Sequence, residues 1–220
     1  MNIALIVFAG SGSRIHSELP KQFIRINDVE MVVYTIRRFQ TNPNIDEIVL
    51  VTQKEYIEYT ENLVNNYELT KVVKVVAGGD TRQESVRLGL EAIDYDDDEN
   101  ILIHDGDRPL VSNAIINNAI AHLEQFKAVC PFIDKGERIL EISNSGRESY
   151  VSDKKVDIQT PQGFKFGLIK KAHDEKKSQE FSDDIGLVQY QVEVKYFEGE
   201  KENFKVTEDR DLEFLDKMLR

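Results

Sequence analysis

A chain of 220 residues, 40% hydrophobic and 31% charged, has the composition to bury a full core and reads as one domain spanning 1–220. The net charge of −12 excludes a general nucleic-acid surface but leaves small anions open wherever a few cations gather. No run approaches membrane-spanning length, and the one cysteine, Cys130, excludes an internal disulfide and a cysteine-rich metal centre.

In chain order, Ile3–Phe8 predicts a buried strand that stops at Gly10-Ser-Gly-Ser-Arg14, with Lys21 seven residues on. Gly10 and Gly12 permit positive φ and close backbone approach, and Arg14 and Lys21 supply countercharge, so the loop suits a triphosphate. It is not a Walker A loop, since no Gly-Lys-Ser/Thr closes it, and Ile15 stands where a dinucleotide fingerprint needs a third glycine. The glycines alone fit an ordinary strand-to-helix turn equally well.

An amphipathic helix follows at Met31–Gln40, then a strand at Glu47–Thr52, a helix at Tyr56–Tyr67 and a strand at Lys71–Ala77. Thr81 and Glu84 form a capping-box pattern for a helix from Arg82 to Ile93. Ile101–His104 is a short buried strand, Asn113–Phe126 a helix and Val129–Ile133 another strand, with Cys130 a small core residue. This alternation predicts an α/β fold with a mostly parallel central sheet covered on both faces. Residues 134–157 change character and read as a protruding β-arm or long hairpin, a candidate dimer contact, with a surface loop as the alternative. The pattern resumes at Ile158, and Thr207 is the expected cap of a last helix, Glu208–Leu219. The N-terminus has no secretory pattern, so the expected location is the cytoplasm.

Ligands of open α/β sheets bind beyond the carboxyl ends of the strands. Besides the first loop, three such ends carry chemistry. In Gly78-Gly-Asp-Thr-Arg82, paired glycines let amides face a ligand, and Asp80 can accept from an exocyclic amine or hydroxyl. In His104-Asp-Gly-Asp-Arg-Pro109, Asp105 suits a nucleotide-borne Mg²⁺ and Arg108 a phosphate. The same residues also fit a structural Asp–Arg pair beside a buried His104, with Asp107 neutralising Arg108. Lys205 stands just before a helix N-terminus. No Ser-His-Asp or Cys-His set is evident, and His122 and His173 fall in helical stretches. A phosphate nucleophile, with a second pKa of about 6, needs no base, so catalysis reduces to positioning and charge stabilisation.

The motifs Ala9-Gly-Ser-Gly-Ser-Arg14, Pro20-Lys-Gln-Phe23, Gly78-Gly-Asp-Thr-Arg82, Ser85, His104-Asp-Gly-Asp-Arg-Pro109, Gln159-Thr-Pro-Gln162, Ser182-Asp-Asp184 and Lys205-Val-Thr207 span essentially the whole chain. In this order they resemble the cytidylyltransferases that make CDP-activated polyols. The resemblance implies a Rossmann-like nucleotide-diphospho-sugar transferase fold, CTP as co-substrate, Mg²⁺, and a homodimer built by the arm. It implies that Arg14, Lys21 and Lys205 stabilise charge on the reacting phosphates. Ala9, Gly10, Ser11, Gly12, Gly79, Asp80 and Ser85 would hold the nucleotide. Asp105 would face metal, ribose and polyol, and Gly106 and Arg108 would join it on the acceptor. Two departures fall on the acceptor side. Lys135 stands where the family usually has a threonine, and the arm arginine that enters the partner's site is replaced by Lys154, Lys155 or Ser152.

The expected reaction is CTP plus a polyol phosphate giving a CDP-polyol and pyrophosphate. The Gln159-Thr-Pro-Gln-Gly-Phe164 segment favours 2-C-methyl-D-erythritol 4-phosphate, which would place the protein in isoprenoid precursor synthesis. Ribitol 5-phosphate, or another polyol or sugar phosphate for surface glycans, is the alternative acceptor. A non-catalytic nucleotide-binding protein is the alternative of another class. An NAD-dependent oxidoreductase is disfavoured, because Thr52-Gln-Lys54 stands where an acidic ribose contact belongs.

Overall fold

The computed structural model describes residues 1–10, 19–134, 140–142, 148–150 and 156–220. The expectations for Ser11, Gly12, Arg14, Lys135, Ser152, Lys154 and Lys155 therefore lie outside the described residues.

The first strand, β1 (Asn2–Val7), is apolar on both faces because both are covered. Ala4 and Ile6 enter one core cluster, and Ile3, Leu5 and Val7 the other. A 3-10 turn at Lys21–Phe23 leads to a small hairpin, β2 (Arg25–Ile26) and β3 (Val29–Glu30). Its corner residues, Asn27 and Asp28, both take positive φ (49° and 64°), as a two-residue hairpin turn requires. Next come α1 (Met31–Gln40) and β4 (Glu47–Thr52), α2 (Ile57–Asn66) and β5 (Val72–Ala77), then α3 (Arg82–Glu91) and β6 (Asn100–Asp105). The chain continues through α4 (Asn113–His122), β7 (Ala128–Asp134), β8 (Leu140–Ile142), β9 (Glu148–Tyr150), β10 (Val156–Ile158) and β11 (Gln162–Lys165). It ends with α5 (Phe166–Glu175), α6 (Ile185–Val188), β12 (Val194–Glu198) and α7 (Asp209–Met218).

Eight strands form the central sheet. β5, β4, β1 and β6 run parallel in that spatial order, and β12 lies parallel to β7. Between β6 and β7 lies β11, antiparallel to both, so the sheet is mostly parallel with two reversed strands, β11 and the edge strand β10. β10 pairs antiparallel with the far end of β7, Val156 opposite Asp134. Between these partners the chain makes the β8–β9 hairpin, a separate two-stranded sheet that gives the expected arm its described core.

One face of the sheet is covered by α1 and α4, through Val32, Ile36, Phe39, Ile115 and Ile116. The other carries α3, α5 and α6, through Val86, Leu90, Ile169, Ala172 and Leu187. The parallel strands thus deliver Val7, Ala77 and Asp105 to the same edge.

Two expectations change in detail. The last helix is capped by Glu208, one residue after Thr207, in a reciprocal capping box with Asp211. Thr207 instead donates its N–H and hydroxyl to the same Asp211 carboxylate, at 2.8 and 3.0 Å. At α3 the cap is Thr81 as expected, but Glu84 returns to the amide of Asp80 rather than to that of Thr81.

Candidate active site

Two clefts open beyond the strand ends. The first, about 310 Å³, is lined by residues from the β1 exit, the Lys21 turn, the start of α3, the β6 exit and the 205–207 segment. It gathers Ala9, Gly10, Lys21, Gly79, Asp80, Ser85, Asp105 and Lys205, the candidates sequence reasoning named from four separate places. The second, about 540 Å³, is lined by Arg108, by Ile158 to Thr160 and by Ser182, Asp183 and Phe204. Arg82, Asp105 and Lys205 line both and form their common wall.

Asp105 sits at the end of β6, 7% exposed, and faces three cations. Arg82 Nε donates to it at 2.7 Å, Lys205 Nζ at 3.1 Å, and Arg108 Nε lies at 3.5 Å. Burial by itself would raise the Asp105 pKa; the charges of Arg82, Lys205 and Arg108 overcome this and hold it well below the usual carboxylate range. Arg82 also pairs with the buried Asp184 at 2.9 Å. Burial opposes its charge, but Asp184 and Asp105 more than offset that and raise its pKa.

Asp107 does not neutralise Arg108. It binds Lys21, whose Nζ also donates to the Val206 carbonyl at 2.8 Å, and its second oxygen lies 3.8 Å from Lys205. The Asp107 carbonyl accepts from the Val206 amide at 2.8 Å, so one short loop anchors both lysines. Arg108 turns the other way, donating from Nη1 to the Asn203 carbonyl at 2.9 Å.

His104 is fully buried, with Nδ1 3.0 Å from the Thr160 hydroxyl and Nε2 3.2 Å from the Arg108 carbonyl. Burial pushes its imidazole down to about 3, partly offset by the Arg108 carbonyl, so it is a structural brace for the β6 exit.

The glycines work differently from the sequence expectation. The amides of Gly78, Gly79 and Asp80 are all taken inside the protein, by Thr52 O, Ser85 Oγ and Glu84 Oε2. A Cβ on Gly78 would come within 2.4 Å of the Ala9 Cβ, so this glycine allows close packing of two loops rather than amide donation. Gly10 does not use a left-handed φ, and a Cβ there would meet nothing within 4 Å, so neither positive φ nor close packing requires glycine at this position. Gly106 lines neither cleft, with its amide on the Val7 carbonyl and its carbonyl on the Thr35 hydroxyl.

Sequence reasoning quoted Arg82 inside a motif without giving it a role, and the structure puts it at the junction of the clefts. Gln22 was likewise passed over; its amide closes the first loop onto the Phe8 and Gly10 carbonyls at 2.8 and 3.2 Å. The available signal was the motif neighbours themselves, Lys21 and Asp80. Among the described residues no three Asp, Glu, His or Cys side chains converge as a metal cage.

Cations and buried carboxylates at the ends of a Rossmann-like sheet, with no Ser-His-Asp or Cys-His set among the described residues, suit a nucleotidyltransferase. The model of the 2-C-methyl-D-erythritol 4-phosphate cytidylyltransferase family matches residues 2–220. A Clostridium novyi (strain NT) protein of that name is 37% identical over 224 residues, covering 99% of this chain and 96% of the relative. The crystal structure of 4-diphosphocytidyl-2C-methyl-D-erythritol synthase from Anaerococcus prevotii DSM 20548 superposes with a TM-score of 0.86 at 27% identity, over 99% of this chain and 95% of that one. The Francisella tularensis 2-C-methyl-D-erythritol 4-phosphate cytidylyltransferase gives 0.80 at 26%, over 98% of each chain. The chain belongs to the 2-C-methyl-D-erythritol 4-phosphate cytidylyltransferase family.

Proposed function

We propose that this protein transfers the cytidylyl group of CTP to 2-C-methyl-D-erythritol 4-phosphate, forming the CDP-polyol and pyrophosphate. The observation that carries the reading is the common wall of Arg82, Asp105 and Lys205 between two clefts. A nucleotide in the first cleft and a polyol phosphate in the second would meet at these residues. An oxygen of the acceptor phosphate attacks the α-phosphorus, the bond to the β-phosphate oxygen breaks, and pyrophosphate leaves. Lys21, Lys205 and Arg14 stabilise the charge that develops, as positioned cations do in phosphoryl chemistry generally. Asp80 and Ser85 read the cytosine, and Arg108 and Asp105 hold the acceptor, with Lys135 and Lys154 as its further phosphate contacts.

Mg²⁺ fits this donor set only as a passenger of the triphosphate. Asp105 and Asp107 offer hard oxygens in one cleft, and Asp107 Oδ1 is a buried oxygen without a hydrogen-bond partner. Bound there, the ion would neutralise phosphate charge.

No described helix is long and apolar enough to cross a membrane. A cytoplasmic homodimer is the accompanying reading, supported by the buried free Cys130 and by the β8–β9 hairpin, which pairs with no other described strand.

The test is pyrophosphate release with CTP, Mg²⁺ and either 2-C-methyl-D-erythritol 4-phosphate or ribitol 5-phosphate, with ATP, GTP and UTP as controls. Release only with CTP and the methylerythritol phosphate is expected. Release only with ribitol 5-phosphate moves the protein to glycan precursor synthesis, and CTP binding without turnover removes both acceptors.

A further inference from the structure

The transfer chemistry makes no use of His173. It sits in the last turns of α5, 1% exposed, and lines neither cleft. Its Nε2 lies 3.0 Å from Oδ1 of Asp184, which is also 1% exposed. The other oxygen of Asp184 pairs with Nη1 of Arg82 at 2.9 Å, and Nε of Arg82 donates to Asp105 Oδ1 at 2.7 Å. Three short contacts therefore run from a helix behind the sheet to the wall shared by the two clefts.

The main chain fixes where Asp184 is. Its amide and that of Ile185 both donate to Gln162 Oε1, at 3.1 and 3.0 Å. What this leaves undetermined is the rotation of the carboxylate, and His173 is the group that holds it. With Nε2 donating, Nδ1 is a bare acceptor, and it has no hydrogen-bond partner in the core. A buried orphan acceptor costs less than a buried orphan N–H, so this tautomer is the one the packing accepts. The imidazole gives Oδ1 of Asp184 a hydrogen-bond partner while Arg82 faces Oδ2 as an ion pair, so the two oxygens are held from opposite sides.

We propose that His173 is a positioning residue for the transfer, fixing the plane of the Arg82 guanidinium through Asp184 at the junction of nucleotide and acceptor. The kinetic consequence rests on the cytidylyl-transfer reading; the structural consequence does not. Misplacing a charge at the reacting phosphates slows the chemical step while leaving cytosine recognition at Asp80 and Ser85 in place.

The experiment compares wild type with His173→Leu, His173→Gln and, as a core control on the same helix, Ile169→Ala. His173→Leu is expected to lower kcat roughly 10- to 100-fold while KM for CTP moves less than about threefold. His173→Gln, whose amide can donate to Asp184 from nearly the same place, should recover most of kcat. Ile169→Ala, which opens the core one turn before His173 without removing any group of the relay, should keep kcat within about twofold of wild type. In parallel, solvent exchange of the Arg82 Nε–H is read by nitrogen-15 NMR without substrates. It should speed up about tenfold in His173→Leu and return in His173→Gln. If His173→Leu does not fold, His173→Gln and His173→Asn, equal in polarity and unequal in reach, take its place.

Unchanged kcat in His173→Leu, an equal loss in Ile169→Ala, or an unchanged Arg82 Nε–H overturns the proposal. A wild-type protein that releases no pyrophosphate overturns the proposed reaction instead, and the Nε–H exchange then decides the role of His173.

Discussion

His104 and Asp105 are adjacent on β6 and both buried, yet what faces them keeps the first neutral and the second ionised. Burial with two uncharged partners keeps the imidazole unprotonated down to about 3, whereas three cations keep the carboxylate ionised well below its usual range. The consequences for stability have the same sign but different windows. Below about 6.5 the unfolded chain protonates His104 and the folded chain does not, so stability drains at up to about 1.4 kcal/mol per pH unit as pH falls. The stability held by the depressed Asp105 and Asp184 is intact above about pH 4 and is lost only below it. Urea unfolding between pH 6.5 and about 5 should therefore separate His104 from the carboxylates, since the depressed Glu30 adds its own loss only below about 5. His104→Gln is expected to lower stability at pH 7 and to flatten the slope in that window; a slope equal to wild type would remove the assignment. His104 was legible as a buried residue because it closes the apolar run Ile101–Ile103. Arg82 was not legible as a site residue, because spacing places a side chain on a helix start without saying which carboxylates it will find.

At the scale of the element, α3 carries Arg82 at its first position and Ser85 a turn later, so the seating of this helix sets two walls of the first cleft. It rests on the sheet through Gly89, where a Cβ would come within 2.7 Å of Val51 Cγ2 and 2.8 Å of Leu5 Cδ1, both fully buried. Alanine in place of glycine favours a helix by about 1 kcal/mol. Overpacking a closed core costs about 1–3 kcal/mol, and neither neighbour is a flexible end that can swing into solvent. The packing term wins. Gly89→Ala is expected to destabilise the fold by about 1 kcal/mol net and to weaken CTP binding, read by thermal unfolding and titration calorimetry. A more stable variant would mean that α3 lifts without strain. Elements of this kind were readable where periodicity was strong: α1 and β4 span the limits the sequence predicts, Met31–Gln40 and Glu47–Thr52. Helix ends were overrun where the apolar pattern outlasts the regular α-helix, as after Glu91 and His122. The reversal of β11 was not readable, because strand direction depends on which neighbours lie across the sheet and leaves no local trace in Gln162–Lys165.

Over the whole molecule, a chain of net charge −12 gathers Lys21, Arg82, Arg108 and Lys205 from loops far apart in sequence onto one end of the sheet. Only the fold brings them to the two adjoining clefts, which is why each motif was weak alone and their order informative. The arm is attached to this scaffold without being part of it. It leaves after Asp134 and returns at Val156, and these two residues are direct partners across the β7–β10 ladder. Paired Cα atoms in an antiparallel ladder are about 4.5–5.5 Å apart, so residues 135–155 can be replaced by a two-residue Asn-Gly turn without moving the sheet. Both core clusters lie outside the excised segment, so the shortened chain should unfold within a few degrees of wild type. It should also bind CTP as wild type does, because the first cleft draws none of its described walls from the arm. If the arm carries the dimer contact and delivers acceptor-binding residues to the partner, sedimentation should give a monomer of about 23 kDa, 25.3 kDa less the excised segment, with turnover lost. A shortened protein that still sediments as a dimer would assign the contact to another face. One that is monomeric and fully active would mean that each chain holds its acceptor alone, with Arg108 and Lys205 as its cations.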